Sequence, residues 1–208
     1  MDFTQELDSV LPADLPHRSF VITGAAKHLE LIVEANKVLN LTRITSPREA
    51  AIKHVLDSVI PWRLFQSAPH VLDAGTGAGF PGIPLALVLP ETRFTLAESI
   101  QKKARFVESA LAELKLPNAE ITPRRAEELK AGVITARALA PIPKILSLFR
   151  PALKAGSQIL LYKGPGIEQE IVEREIAEAG KTHAHIEIVM RYELPDSLGS
   201  RTIVRITA

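Results

Sequence analysis

The stretch Asp73-Ala74-Gly75-Thr76-Gly77-Ala78-Gly79-Phe80-Pro81-Gly82 sets one carboxylate before four glycines. Glycine lets a backbone turn tightly after a strand and approach a ligand closely. A second carboxylate, Glu98, ends the next apolar run 19 residues after Gly79, where an acidic side chain can accept two hydrogen bonds from a ribose diol. The spacing is Gly-x-Gly-x-Gly after an aspartate rather than Gly-x-Gly-x-x-Gly, and no phosphate-binding lysine follows. Asp73 at a strand tip would hold the loop and can face a cationic amino or sulfonium group rather than a pyrophosphate. A ligand with a ribose and a positive charge but no phosphate is S-adenosylmethionine. The plainer alternatives are a glycine turn that serves packing alone and, for Glu98, a solvated strand end.

These residues need elements to position them. His70–Ala74, Arg93–Glu98, Ala119–Thr122, Gly132–Ala136 and Gln158–Lys163 are short apolar runs that read as strands. Helical patterns over Ile83–Leu89, Lys102–Leu114, Ala126–Lys130, Ile142–Leu153 and Gln169–Ala179 follow them in turn. His185–Val189 and Thr202–Ile206, joined by a turn through Pro195-Asp196-Ser197-Leu198-Gly199, close the chain. Five β/α repeats with a terminal hairpin predict an α/β fold, a doubly wound, mostly parallel sheet with one antiparallel strand. On such a sheet ligands bind at the carboxyl ends of the strands. Upstream, a short helical pattern surrounds Leu7, Val10 and Leu11. A strong one runs from Gly24 to Leu39, and Ser46-Pro47 opens a third that reaches about Ile60. Residues 1–60 are therefore expected to form a helical extension packed on a domain spanning 61–208.

The 208 residues carry a formal net charge of +1, but unevenly: −2 over residues 1–60, −1 over 61–98, +7 over 99–165 and −3 over 166–208. A basic middle third suits an anionic partner, or else pairs with acids elsewhere in the fold. With 46% hydrophobic residues, overall disorder is excluded. The absence of cysteine removes disulfides, iron–sulfur clusters, zinc ribbons and thiol catalysis, and no metal site is expected. The N-terminus is acidic rather than leader-like, and the apolar run 82–89 is far shorter than the ~20 residues of a membrane helix. A cytoplasmic, soluble monomer without membrane contact is expected.

Residues 39–64 and 70–165 together resemble the bacterial RNA methyltransferase family RsmG (GidB). The resemblance rests on Leu39-Asn40-Leu41-Thr42, His54-x-x-Asp57-Ser58, and the glycine loop with its Pro81-Gly82 ending. It continues through Glu98-Ser99-x-x-Lys102-Lys103-x-x-Phe106, Arg125-Ala126-Glu127-Glu128, Arg137-Ala138 and Lys163-Gly164. Glu98 stands where an aspartate is more usual, and Lys103 where an arginine is commoner; both keep the charge. The resemblance implies a class I (Rossmann-like) methyltransferase that uses S-adenosyl-L-methionine to modify guanine N7 in the decoding-region stem-loop of 16S ribosomal RNA.

Carried over residue by residue, it implies a cofactor site of Asp73, Gly75, Gly77, Phe80, Glu98, Ala126, Glu127 and Arg137. Phe80 walls the ligand or plugs the core. Ala126 and Glu127 read the adenine edge or begin a charged helical turn. Arg137, just after a strand, can bind the methionine carboxylate, a phosphate or a guanine edge, with a surface salt bridge as the alternative. Lys163, before Gly164-Pro165-Gly166, suits a phosphate. His54, Asp57 and Ser58 share one helical face. Guanine N7 carries its own lone pair and needs no general base, so a structural brace is favoured over a proton relay. Asn40 is a helix C-cap or reaches the substrate. Direct in-line displacement is expected, with positioning supplying the rate. The competing readings are a nucleotide-dependent dehydrogenase, a non-catalytic ribosome-assembly factor and a small-molecule methyltransferase.

Overall fold

The computed structural model describes residues 2–44, 46–164, 166–178 and 184–208. Its helical start follows from capping and apolar spacing. Asp2 accepts the Gln5 N–H at 3.0 Å and starts α1 (Phe3–Val10), which buries Phe3 and Leu7. Helix α2 (Arg18–Leu39) begins six residues before the Gly24 expected from sequence. Gly24 is not a boundary but a contact: a Cβ there would lie 2.5 Å from Leu87 Cδ2, so the missing side chain lets α2 approach the helix over Gly82–Val88 closely. Asn40 ends α2 in the left-handed region.

Ser46 caps the next helix as expected, accepting from Glu49 N–H. The expected α-helix to about Ile60 is not regular. It starts as α3 (Pro47–Ala50), widens to a π-helix over Ala51–Leu56 and ends as α4 (Asp57–Val59). Such π segments cluster at functional sites, and this one carries His54 and leads into Asp57.

Among the described residues the sheet has seven strands, numbered along the chain and ordered β3-β2-β1-β4-β5-β7-β6. Strands β1 (His70–Ala74), β2 (Arg93–Ala97), β3 (Ala119–Thr122), β4 (Val133–Arg137) and β5 (Gln158–Lys163) are parallel. Strand β7 (Ser200–Thr207) runs antiparallel between β5 and β6 (His185–Glu193). The predicted doubly wound sheet and terminal hairpin are thus both present. The hairpin strands are longer than their apolar cores suggested, with a register irregularity between Ile188 and Met190. That extension brings Tyr192 and Arg201 into the ladder as cross-strand partners.

Side chains alternate between two cores, as a strand's period of two requires. Val71, Phe94, Leu96 and Leu160 face α1, α2, the 47–59 helix, α5 (Gly82–Val88) and α6 (Gln101–Leu114). Leu72, Ala74, Ile134 and Ile159 face α7 (Ile142–Lys154) and Ile167 of α8 (Ile167–Glu178). The N-terminal helices therefore share one continuous core with β1 and β2. The expected short helix over 126–130 is a single 3₁₀ turn, Ala126–Glu128. The expected last residue of α8, Ala179, lies outside the described residues, as does Pro165.

Candidate active site

At the carboxyl end of β1 the chain turns back on itself. Gly75 and Thr76 N–H both bond the Ala97 carbonyl, tying the loop to β2 at 2.9 and 3.1 Å. Gly75, Gly77 and Gly79 all have positive φ, which L side chains rarely adopt. Asp73 is fully buried beneath this loop. Its Oδ2 accepts from Thr76 Oγ1 at 2.6 Å and Gly82 N–H at 2.8 Å, pinning both ends of the turn. Its Oδ1 is buried with no partner among the described residues. Burial pushes the Asp73 carboxyl up to about 6, against the pull of those two donors.

Glu98 sits just past β2 and is almost buried. One oxygen accepts from Gly77 N–H at 3.1 Å and the other from Ile100 N–H at 2.8 Å. A carboxylate has about four lone-pair sites, so two remain for a diol. Gly75, Glu98, Ala126 and Glu127 line one cavity of about 370 Å³, together with Arg124 and Arg125. Of the residues expected at the cofactor, these four meet in one place, whereas Asp73, Gly77 and Phe80 line neither this cavity nor the next.

A second cavity, about 470 Å³, opens beside it and is lined by His54, Asp57, Arg137, Tyr162, Lys163 and Arg201, among others. Ala138, in the left-handed region at φ 55°, lines both cavities and forms the partition between them. Arg137 thus falls in the second cavity rather than with Glu98.

Its guanidinium is held firmly: Nη1 donates to the Lys53 carbonyl at 2.9 Å and to Asp57 Oδ2 at 3.2 Å. Lys163 is not a free cation. Its ammonium donates to the Ala140 carbonyl at 3.0 Å and pairs with Glu170 at 3.2 Å.

Phe80 does not lie open to a ligand. It is 6% exposed, stacked on His54 at 4.6 Å and tilted against His28 at 4.8 Å, with the Arg137 guanidinium 5.3 Å from its ring. It is a plug that supports the arginine. His28 donates Nε2–H to the Ala78 carbonyl at 2.8 Å, since a carbonyl can only accept. Burial lowers its pKa to about 4. His54 is lowered to about 3 by burial first and then by the Arg137, His28 and Lys53 charges.

The His54, Asp57 and Ser58 cluster is not a relay. His54 Nε2 meets Thr42 Oγ1 at 3.0 Å, and Thr42 is fixed in turn by Asn36. Ser58 Oγ donates to the His54 carbonyl at 2.5 Å. Asp57 has separate partners in Arg137, Arg201 and Tyr192. Asn40 is the C-cap of α2 and lines neither cavity.

Sequence reasoning missed Tyr162, Tyr192, Arg201 and His28. Tyr162 alone left a signal, a hydroxyl in an otherwise apolar strand; it donates to the Ser58 carbonyl at 2.8 Å.

With this geometry in view, the likenesses to known proteins are specific. The family model described as GidB, rRNA small subunit methyltransferase G, matches residues 22–193. Ribosomal RNA small subunit methyltransferase G of Solibacter usitatus is 64% identical over 99% of this chain and 100% of its own length. The protein of the same name from Carboxydothermus hydrogenoformans is 34% identical over 86% of this chain and 79% of its own. Among solved structures, an O-methyltransferase from Bacillus cereus in complex with SAH has a TM-score of 0.57 at 18% identity, covering 87% of this chain and 90% of that one. The O-methyltransferase TomG from Streptomyces achromogenes in complex with SAM has a TM-score of 0.55 at 19% identity, with 89% and 90% covered. These two likenesses show the fold. The sequence matches go further: this chain belongs to the GidB family of small-subunit ribosomal RNA methyltransferases.

Proposed function

We propose that the protein transfers a methyl group from S-adenosyl-L-methionine to N7 of a guanine in the decoding-region stem-loop of 16S ribosomal RNA. The observation that carries this reading is the pair of adjoining cavities at the strands' carboxyl ends, one lined by Glu98 and the glycine loop, the other by Arg137 and Lys163, with Ala138 between them.

The residues fit the cofactor. Glu98 keeps acceptor capacity for a ribose, and Glu127 and the Ala126 backbone flank the same space. When bound, the cofactor supplies an electrophilic methyl on a sulfonium. Everything else is positioning. Guanine N7 is already a nucleophile, so the work of the site is alignment in line with that methyl. Arg137, fixed by Asp57 and Lys53 and backed by Phe80, presents its remaining N–H donors to the substrate. Nothing here requires a general base, in keeping with the His54, Asp57 and Ser58 side chains being committed to structural bonds.

Residues 1–60 act as the wall of the substrate cavity opposite the sheet, and 61–208 as the methyltransferase domain. Exposed Lys102, Arg105, Arg124 and Arg125 lie in the basic middle third and hold the RNA backbone. Affinity for RNA should then fall as salt rises. No described helix is long and apolar enough to cross a membrane; the protein works in the cytoplasm, as a monomer.

The test is transfer of labelled methyl to small ribosomal subunits lacking the mark, with naked 16S RNA alongside. N7-methylguanosine at one position is expected. Cofactor binding without label on either RNA substrate would instead favour an assembly factor or a small-molecule enzyme.

A further inference from the structure

Asp57 collects donors from three strands. Arg137 lies at the end of β4, Tyr192 on β6 and Arg201 on β7, and the carboxylate they share is only 1% exposed. The three bonds are not equal. Arg137 Nη1 reaches Oδ2 at 3.2 Å and Arg201 Nε reaches Oδ1 at 3.3 Å, both long for charge-assisted pairs. Tyr192 Oη donates to Oδ1 at 2.9 Å and also lies 3.1 Å from the Asp57 carbonyl. The neutral phenol therefore makes the shortest bond, and it grips the side chain and backbone of Asp57 together.

The surroundings make that grip consequential. Asp57 directly follows the π segment, where the ordinary i→i−4 ladder is interrupted. Tyr192 and Arg201 are cross-strand partners in the terminal hairpin, so the phenol arrives on a rigid two-stranded element. Of the five N–H donors of Arg137, only those on Nη1 have partners among the described residues, leaving Nε and Nη2 for a ligand in the cavity. The direction in which those donors face is set by Asp57, and the place of Asp57 is set in part by Tyr192.

We propose that Tyr192 is a positioning residue of this methyltransferase, acting through Asp57 to orient the Arg137 guanidinium toward the substrate base. The inference rests on the methyl-transfer reading for its purpose, but its physical content is the rigidity of one arginine. Burial and the nearby Asp57 charge hold the Tyr192 phenol protonated at any working pH, so its donor role is constant.

Two measurements test it, and one needs no catalysis. In the full-length protein, guanidinium nitrogen NMR of Arg137, assigned by its loss in Arg137→Lys, should show hindered rotation. In Tyr192→Phe that signal should broaden and merge. The second measurement is steady-state methyl transfer to small subunits. Tyr192→Phe should lower kcat about fivefold, the worth of one buried hydrogen bond, while affinity for S-adenosylhomocysteine stays within about twofold. Asp57→Asn, which keeps the volume, should reproduce the NMR change. An unchanged Arg137 signal in Tyr192→Phe overturns the proposal, whether or not the wild-type protein labels subunits. Failure of the wild type to label any RNA, with the NMR change present, overturns the functional reading and leaves the positioning contact standing. A parallel loss of kcat and cofactor affinity would mean that Tyr192 merely holds the fold, and overturns the proposal as well.

Discussion

The two cavities are built by different means. Beside the one holding Glu98, the glycine loop is fixed through its backbone N–H groups: Gly75 and Thr76 on the Ala97 carbonyl, Gly77 on the Glu98 carboxylate, Gly82 on the Asp73 carboxylate. The one holding Arg137 is built by side chains that find their partners far along the chain: Arg137 bonds the Asp57 carboxylate 80 residues away, Tyr162 the Ser58 carbonyl 104 away and Arg201 the Asp57 carboxylate 144 away. A close-packed glycine loop is vulnerable to added volume, because the Asp73 and Leu96 side chains beneath Gly82 are themselves fully buried and have little room to yield. A side-chain wall is vulnerable to the loss of one polar atom, because its partners are left buried and unpaired.

The sharpest way to break the second wall is Asp57→Ala. It strands two arginines whose side chains are only 17% and 20% exposed, and should cost about 3 kcal/mol in denaturant unfolding. A loss below about 1 kcal/mol would show that water replaces the carboxylate, and the contrast would fail. The matching test of the glycine loop is Gly82→Ala. The added Cβ would sit 2.7 Å from Asp73 Oδ2 and 2.9 Å from Leu96 Cγ. A cost of about 2 kcal/mol is expected, together with weakened binding of S-adenosylhomocysteine by calorimetry.

Acid titrates the buried histidines and the buried Asp73 carboxyl in opposite senses. His28 and His54 are neutral in the fold, near 4 and 3, against 6.5 in the unfolded chain. The unfolded state therefore gains protons first, and their contribution, complete above about pH 6.5, is lost as pH falls. Asp73 is raised to about 6 from 3.8, so the folded state gains its proton first and this carboxyl favours the fold as pH drops. Between about pH 6 and 4 the histidines exceed the carboxyl by one proton, so stability should fall by about 1.4 kcal/mol per pH unit. Asp73→Asn should steepen that slope to roughly twice as much in urea midpoints at pH 6, 5 and 4. The mildest change is Tyr162→Phe. Removing one buried bond to the Ser58 carbonyl should cost about 1 kcal/mol and leave S-adenosylhomocysteine affinity unchanged.

The contrast also explains what the sequence made legible. The glycine loop, Asp73 and Glu98 are near neighbours in sequence order, and their spacing encodes a strand, a turn and a carboxylate on the adjoining strand. Residues 70–163 accordingly yield β1 to β5 with boundaries within about one residue. Arg137 and Lys163 could be placed at strand ends, but not their partners. Whether Lys163 meets solvent or Glu170 depends on where α8 packs, which no local pattern states. Tyr192 and Arg201 lie beyond the apolar cores of their strands and carry meaning only through the hairpin register. The π-helix escaped because Ala51–Leu56 has ordinary helical composition, and its widened turn is stabilised by tertiary partners. Gly24 misled for a related reason: a glycine required for close packing looks, along one chain, like a helix boundary.

The most direct test of the two-cavity account compares Glu98→Ala with Arg137→Ala, measuring S-adenosylhomocysteine affinity by calorimetry and labelled methyl transfer to small subunits lacking the mark. Glu98→Ala should weaken cofactor binding at least tenfold, and transfer with it. Arg137→Ala should bind the cofactor within about twofold of wild type and yet transfer at least a hundredfold more slowly. If Arg137→Ala loses cofactor affinity as severely as Glu98→Ala, the arginine belongs to the cofactor site and the division between the cavities is wrong.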